Sequence, residues 1–114
     1  MEKSAEKRRP RLVYQNVFGE KRVLALAGPI VIGRSRQASL AIPDNTVSEF
    51  HCGIIPLKPP PGSPPDALVW LACDLGSMNG TWLNGHRLTR PALLRHGDWL
   101  QFGRTHATRV LLRH

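Results

Sequence analysis

Three short stretches of this chain carry side chains that could do chemistry, and their order matters as much as their content. Gly33-Arg34 comes first, Ser48-Glu49-Phe50-His51 second, and Asp74-Leu75-Gly76-Ser77-Met78-Asn79-Gly80-Thr81 third. An arginine directly after a glycine at a strand end presents a planar fork. It can make two parallel N–H···O bonds to a phosphate, on a backbone that can approach closely. Ser48 can add a hydroxyl donor, and Arg36, two residues beyond Arg34, would share its side if the segment is extended. Gly76 and Gly80 permit positive φ, while Ser77 and Asn79 can bond backbone groups and hold the third stretch as an ordered loop. A serine, a histidine and an aspartate also invite a hydrolytic reading, with Ser48 as nucleophile and His51 as base. Spacing opposes it. In a segment entering a strand, residues three apart point to opposite sides, and no orienting carboxylate or oxyanion loop is evident. An enzyme is therefore not expected.

The elements that must position these residues are strands. Apolar residues recur at intervals of two, or in runs of four to six closed by Gly, Pro, Asn or Asp, with no sustained 3.6 period. The pattern predicts strands over residues 12–17, 22–27, 30–33, 39–42, 52–57, 67–73, 81–83, 86–88, 92–94, 98–102 and 105–112. The last alternates, with Thr108, Val110 and Leu112 on one face and Arg109 and Arg113 on the other. Asn84-Gly85 predicts a type I′ hairpin turn, which needs positive φ at both central positions. Residues 58–65, with five prolines and a glycine, cannot donate ladder bonds and are expected as a stiff surface loop rather than an SH3 ligand. The three chemical stretches then all fall on loops at strand ends, where a rigid scaffold presents functional side chains.

Size and charge bound the rest. At 114 residues there is room for one domain with a real core, expected over residues 11–114 behind a flexible basic tail at 1–10. The formal net charge of +8 invites a polyanion. Lys3, Lys7, Arg8, Arg9 and Arg11 cluster at the N-terminus, however, and the other cations are scattered with no interleaved aromatic stripe. A nucleic-acid partner is disfavoured on that ground. No apolar run nears the ~20 residues of a membrane span, so no membrane partner is expected, and the expected location is the cytoplasm with the nucleus left open. Cys52 and Cys73 have no CxxC partner and no histidine at zinc-ligand spacing; they read as reduced core residues, with no metal and no cofactor.

With Asn84-Gly85, Gly97-Asp98 and Phe102-Gly103 added, the ordered stretches closely resemble the forkhead-associated (FHA) domain family. Its pattern runs GR, SxxH, a DLGSxNGT-like loop, NG, GD and a closing G, and the resemblance covers about residues 20–112. It implies an all-β fold, an eleven-stranded β-sandwich of two twisted, mainly antiparallel sheets. It implies a module that binds phosphothreonine on a partner protein, as an adaptor in Ser/Thr kinase signalling. By the same resemblance Arg34 and Ser48 are the phosphate contacts, Asn79 bonds the peptide backbone, and Gly33, His51, Ser77, Gly80, Thr81, Asn84 and Gly85 are structural. Two positions depart from the pattern. Met78 stands where the family often has a phosphate-binding Thr or Ser, so only its backbone amide remains for that contact. Glu49 stands where Arg, Lys or Asn is common. A carboxylate about 6 Å from a phosphate repels it by about 1 kcal/mol in water, and Arg36 is the candidate compensator. The alternative reading keeps the fold and makes it a phosphate-independent protein-interaction or dimerisation module.

Overall fold

A computed structural model of the protein describes residues 10–16, 18–64, 69–104 and 109–113, with the backbone alone at 109–111. The basic tail over 1–10 lies outside them except for Pro10. So do residues 17, 67–68 and 105–108, at the expected ends of three strands.

Among the described residues eleven strands form: β1 (Arg11–Gln15), β2 (Lys21–Ala25), β3 (Ile30–Gly33), β4 (Leu40–Ala41), β5 (Cys52–Leu57), β6 (Val69–Asp74), β7 (Thr81–Leu83), β8 (His86–Arg87), β9 (Ala92–Leu94), β10 (Trp99–Phe102) and β11 (Arg109–Arg113). They make a six-stranded sheet in the order β2-β1-β11-β10-β7-β8 and a five-stranded sheet in the order β4-β3-β5-β6-β9. The pairings are antiparallel except β3 with β4. Among the described residues no helix is long and apolar enough to cross a membrane.

Alternation builds the core. Leu100 and Phe102 of β10 are buried while Trp99 and Gln101, which alternate with them, are half-buried, and Leu12 and Leu112 face inward from β1 and β11. Against them pack Ile32, Ile54, Trp70, Ala72 and Leu94 of the second sheet, each large aliphatic side chain stabilising by roughly 1.5–3 kcal/mol. The Asn84-Gly85 turn forms as its dipeptide requires, with φ of 51° and 85°. Asn84 also locks the neighbouring strand: its amide donates to the Asp98 carboxylate at 2.9 Å and its side-chain oxygen accepts from the Trp99 amide at 2.9 Å. The proline-rich segment closes a tight turn, Ser63 N–H donating to the Pro60 carbonyl at 3.1 Å with Gly62 at φ 88°. That turn interrupts any polyproline helix. Pro56 is tolerated inside β5 because β3 pairs with β5 only as far as Ile54.

Candidate functional site

Strand register gathers the three stretches at one end of the sandwich. Ile32 pairs with Cys52 and Cys52 with Asp74, so the end of β3, the start of β5 and the end of β6 lie side by side. Gly33 is there because nothing larger fits. A Cβ on it would overlap the Glu49 carbonyl oxygen and lie 2.7 Å from that carbonyl carbon. The close approach lets the Arg34 and Ser35 amides donate to the Ser48 and Glu49 carbonyls at 2.9 and 3.1 Å. Arg34 donates through Nε to the Val47 carbonyl at 3.0 Å, which fixes the guanidinium plane. Its two terminal amino groups have no partner among the described residues and are the exposed edge of the fork.

His51 lies fully buried beneath this edge, its ring edge-on to Phe102 with centroids 5.6 Å apart. Its Nδ1 accepts from the Ser48 backbone N–H at 3.0 Å, and its Nε2 meets the Gly80 carbonyl at 2.7 Å. A nitrogen accepting an N–H carries no proton, so the ring is neutral with hydrogen on Nε2, which donates to Gly80. Burial pushes the His51 pKa down, against the opposing pull of the Gly80 carbonyl and Asp74. The expectation that His51 cannot face residue 48 is corrected: residues 49–50 form a bend, not a strand, and the ring turns back under the Ser48 backbone. It does so as a structural clamp. Both ring nitrogens are committed to backbone, and neither is paired with the Ser48 hydroxyl.

The third stretch is wound around Asp74. One carboxylate oxygen accepts from the Ser77 and Thr81 hydroxyls at 2.6 and 2.7 Å, the other from the Gly76 and Ser77 amides at 3.1 and 3.0 Å. Desolvation alone would raise the Asp74 pKa; these bonds, with the nearby His51, outweigh it and hold the carboxyl below its ordinary value. Ser77 Oγ in turn accepts from the Gly80 amide at 3.0 Å. The loop so held places Met78 N–H on Ser48 Oγ at 3.0 Å. That is a second correction, since this amide was expected to be left for the ligand and is spent on Ser48. Its consequence for Ser48 is useful: a hydroxyl accepting on one side must send its own proton elsewhere. Asn79 donates to the Thr46 carbonyl at 2.8 Å, leaving its amide oxygen without a partner among the described residues.

Arg36 is the third correction. Residues 35–38 form a turn, with Ala38 N–H on the Ser35 carbonyl at 3.1 Å and Gln37 N–H on Ser35 Oγ at 3.1 Å. Alternation along an extended strand therefore does not place Arg36 beside Arg34, and it sits exposed at the turn. Thr46, which sequence reasoning missed, ties the site together. Its hydroxyl donates to Asp44 at 2.6 Å and accepts from the Arg104 amide at 2.9 Å, and its carbonyl holds Asn79. The readable signal was Pro43-Asp44-Asn45-Thr46, an Asx-turn sequence whose Asp44 side chain takes the Thr46 amide at 2.8 Å.

Known proteins point the same way. The FHA domain family matches residues 30–103. The chain belongs to the FHA domain family. Over 96 residues it is 30% identical to human "Angiogenic factor with G patch and FHA domains 1" and 28% identical to its mouse counterpart, aligning 77% of this chain. The chain spans only 12% of the length of those relatives. Among solved structures, one from a study of phosphothreonine-dependent FHA domain interactions superimposes with a TM-score of 0.69 at 28% identity, covering 91% of this chain and 96% of that one. The FHA domain of yeast Dun1, solved with a doubly phosphorylated peptide, shares the fold with a TM-score of 0.71 at 24% identity, covering 92% of this chain and 73% of that one. FHA domains are phosphothreonine-binding interaction modules. In this FHA domain the DLGS loop, the SxxH segment and the GR pair occupy one end of the sandwich. Cys52, next to His51, is buried in the core beneath them, its thiol pushed up to about 12 by burial. No cluster of metal-ligating side chains occurs among the described residues.

Proposed function

We infer that this FHA domain reads phosphothreonine on a partner protein, as a non-catalytic adaptor in Ser/Thr kinase signalling. The observation that carries the reading is the paired donor edge. Arg34 is pinned by Nε to Val47 with its terminal amino groups free among the described residues, and Ser48 accepts the Met78 amide so that its hydroxyl proton is available outward. Donors fixed before the ligand arrives lose little entropy on binding it. Asn79, one residue from Met78, has the free amide oxygen to accept a peptide N–H. The phosphopeptide-dependent relatives support the reading by likeness. A phosphate-independent interaction surface is the second reading. The Met78 side chain favours it, being 85% exposed beside the site with nothing for a phosphate to bond.

The test is calorimetric titration with a phosphothreonine peptide library and its unphosphorylated copy, against the native domain and Arg34→Ala. Removing a charge-assisted, two-pronged contact costs about 1.5–3 kcal/mol or more, roughly a tenfold to hundredfold loss. Equal binding of phosphorylated and unphosphorylated peptides by the native domain refutes the phosphothreonine reading. Undiminished phosphopeptide binding by Arg34→Ala removes Arg34 from it.

A further inference from the structure

The five-stranded sheet is apolar on both faces. A strand in an antiparallel sandwich normally alternates, apolar inward and polar outward, but β5 and β6 do not. Their inward residues Cys52, Ile54, Trp70 and Ala72 are buried, and the outward positions are also apolar. Ile55 pairs with Leu71 and Leu57 with Val69, while Leu93 of β9 flanks Leu71 on its other side. Leu75 extends the stripe: its Cδ2 and the Ile55 Cδ1 lie 3.7 and 4.0 Å from where a Gly53 Cβ would stand. Leu71 at its centre is half-buried, and around it Ile55, Leu57, Val69, Leu75 and Leu93 are exposed, from 37% at Leu57 to 50% at Leu93. On these three strands the outward face carries no charged residue. Charges gather at its margin instead, where Lys58 follows β5 and Arg90 and Arg95 bracket β9, all exposed and all cationic.

We propose that this outer face docks an amphipathic helix of a partner protein, with an apolar stripe bordered by acidic side chains. A helix is the element that suits a bare sheet face, because its backbone bonds are satisfied internally; a lone strand laid there would leave its amides and carbonyls unpaired. Acidic borders follow from Lys58, Arg90 and Arg95 at the margin, which reward carboxylates and repel a basic helix. The same margin disfavours a second copy, which would bring identical cations face to face, and the described residues supply no helix to offer. The chain's own first nine residues, MEKSAEKRR, hold four cations and no apolar stripe. Contiguous apolar surface of a few hundred Å² or more marks interaction sites on monomers. The outer face uses neither Arg34, Ser48 nor Asn79, and shares only Leu75 with the site loops.

The probe is a synthetic peptide of about 20 residues, long enough to form a helix, with leucines at i, i+3, i+4 and i+7 and glutamates beside them. A second peptide carries lysines in their place. Both are titrated into isotope-labelled protein and followed by amide chemical shifts. The Glu-bordered peptide should move resonances of β5, β6 and β9 while those of Arg34, Ser48 and Asn79 stay still, and the Lys-bordered peptide should bind at least about tenfold more weakly. Leu93→Glu should weaken binding at least about tenfold, and Arg95→Glu, which leaves the sheet untouched, should reduce it and flatten its salt dependence. Binding that ignores peptide charge, shifts confined to the Arg34 loops, or no binding at all would overturn the proposal. So would a concentration-dependent dimer of the free protein that Leu93→Glu abolishes, since the occupant would then be a second copy.

Discussion

Adding a single methyl group at Gly33 should disrupt this end of the sandwich directly. The Gly33→Ala Cβ would overlap the Glu49 carbonyl oxygen, lie 2.7 Å from the carbonyl carbon and 3.0 Å from Phe50 Cα. Non-bonded carbons sit at about 3.5–4.0 Å, so the Glu49–Phe50 backbone must withdraw by roughly 1 Å. Backbone cannot swing aside as a flexible side chain can. That movement breaks into the bonds from Arg34 N–H to Ser48 O and Ser35 N–H to Glu49 O, each worth about 0.5–1.5 kcal/mol, on top of an overpacking cost of about 1–3 kcal/mol. Gly33 is not at positive φ, so alanine recovers about 0.4–1 kcal/mol by restricting the unfolded chain. The net loss is about 1–5 kcal/mol, or a fall in melting temperature of roughly 5–20 °C at this chain length. Gly53→Ala is the matched control. Its Cβ meets only ordinary contacts at 3.7–4.0 Å, and its melt should stay within about 3 °C of native. Thermal unfolding by circular dichroism measures both. If Gly33→Ala melts within about 3 °C of the native protein, the close approach does not constrain the site. Because the displaced backbone carries Ser48, phosphopeptide binding should also fall at temperatures where the variant is fully folded.

Other perturbations separate positioning from ligand contact. Glu49→Arg replaces a repulsion with an attraction and should strengthen phosphothreonine binding by about tenfold to thirtyfold, less at higher salt; unchanged affinity at two salt concentrations would show that Glu49 lies out of range. His51 has its folded pKa below the unfolded value of about 6.5. Between those two values the unfolded state holds the extra proton, so stability rises with pH there and is lost as pH falls below about 6.5. Melting temperature should therefore drop from pH 7.5 to 5.5, and His51→Gln should flatten that slope; a slope surviving in the variant assigns it to another group. Asp74, whose folded pKa is depressed, contributes stability above its unfolded value of 3.8 that is lost only below it. Its role is tested by Asp74→Asn, which removes one of two accepting oxygens and should cost about 1–3 kcal/mol in chemical denaturation.

Most of the fold was legible because its signals are local. Alternation and turn residues located the eleven strands within a few residues of where they form, and Asn84-Gly85 adopts the backbone its dipeptide demands. What failed depends on loop geometry. Arg36 was placed by strand alternation, but Ser35 bonds the Gln37 amide and converts the segment to a turn, a preference short hydroxyl side chains bring to loops. His51 was expected to point away from residue 48 for the same reason, and a bend at 49–50 turned it back. The Asx-turn sequence at 43–46 marks a turn at Thr46 but not its role; its importance lies in a carbonyl and a hydroxyl whose partners, Asn79 and Arg104, are distant in sequence. The apolar outer face was written plainly in residues 52–57 and 69–73, where both registers of the alternation are apolar, a pattern proper to strands covered on both sides.

The arrangement of bonds beneath the site explains how three separate loops can present one rigid edge. Each loop makes its own local bonds, but His51 bridges two of them from inside the core, holding Ser48 through one nitrogen and Gly80 through the other. That bridge requires the neutral ring. A second proton on Nδ1 would set an N–H against the Ser48 N–H, and the segment carrying Ser48 would lose its lower support. The upper link, Met78 N–H to Ser48 Oγ, cannot replace it, because it ties one loop to another without tying either to the sheets. Arg34 differs in kind: its Nε bond to the Val47 carbonyl aims the guanidinium, and the two segments it joins are already held by backbone bonds from the Arg34 and Ser35 amides to the Ser48 and Glu49 carbonyls. Removing Arg34 should thus subtract a ligand contact and little else, whereas removing His51 should loosen the edge on which every contact depends. A stability loss shared with an affinity loss marks the clamp, and an affinity loss alone marks the contact.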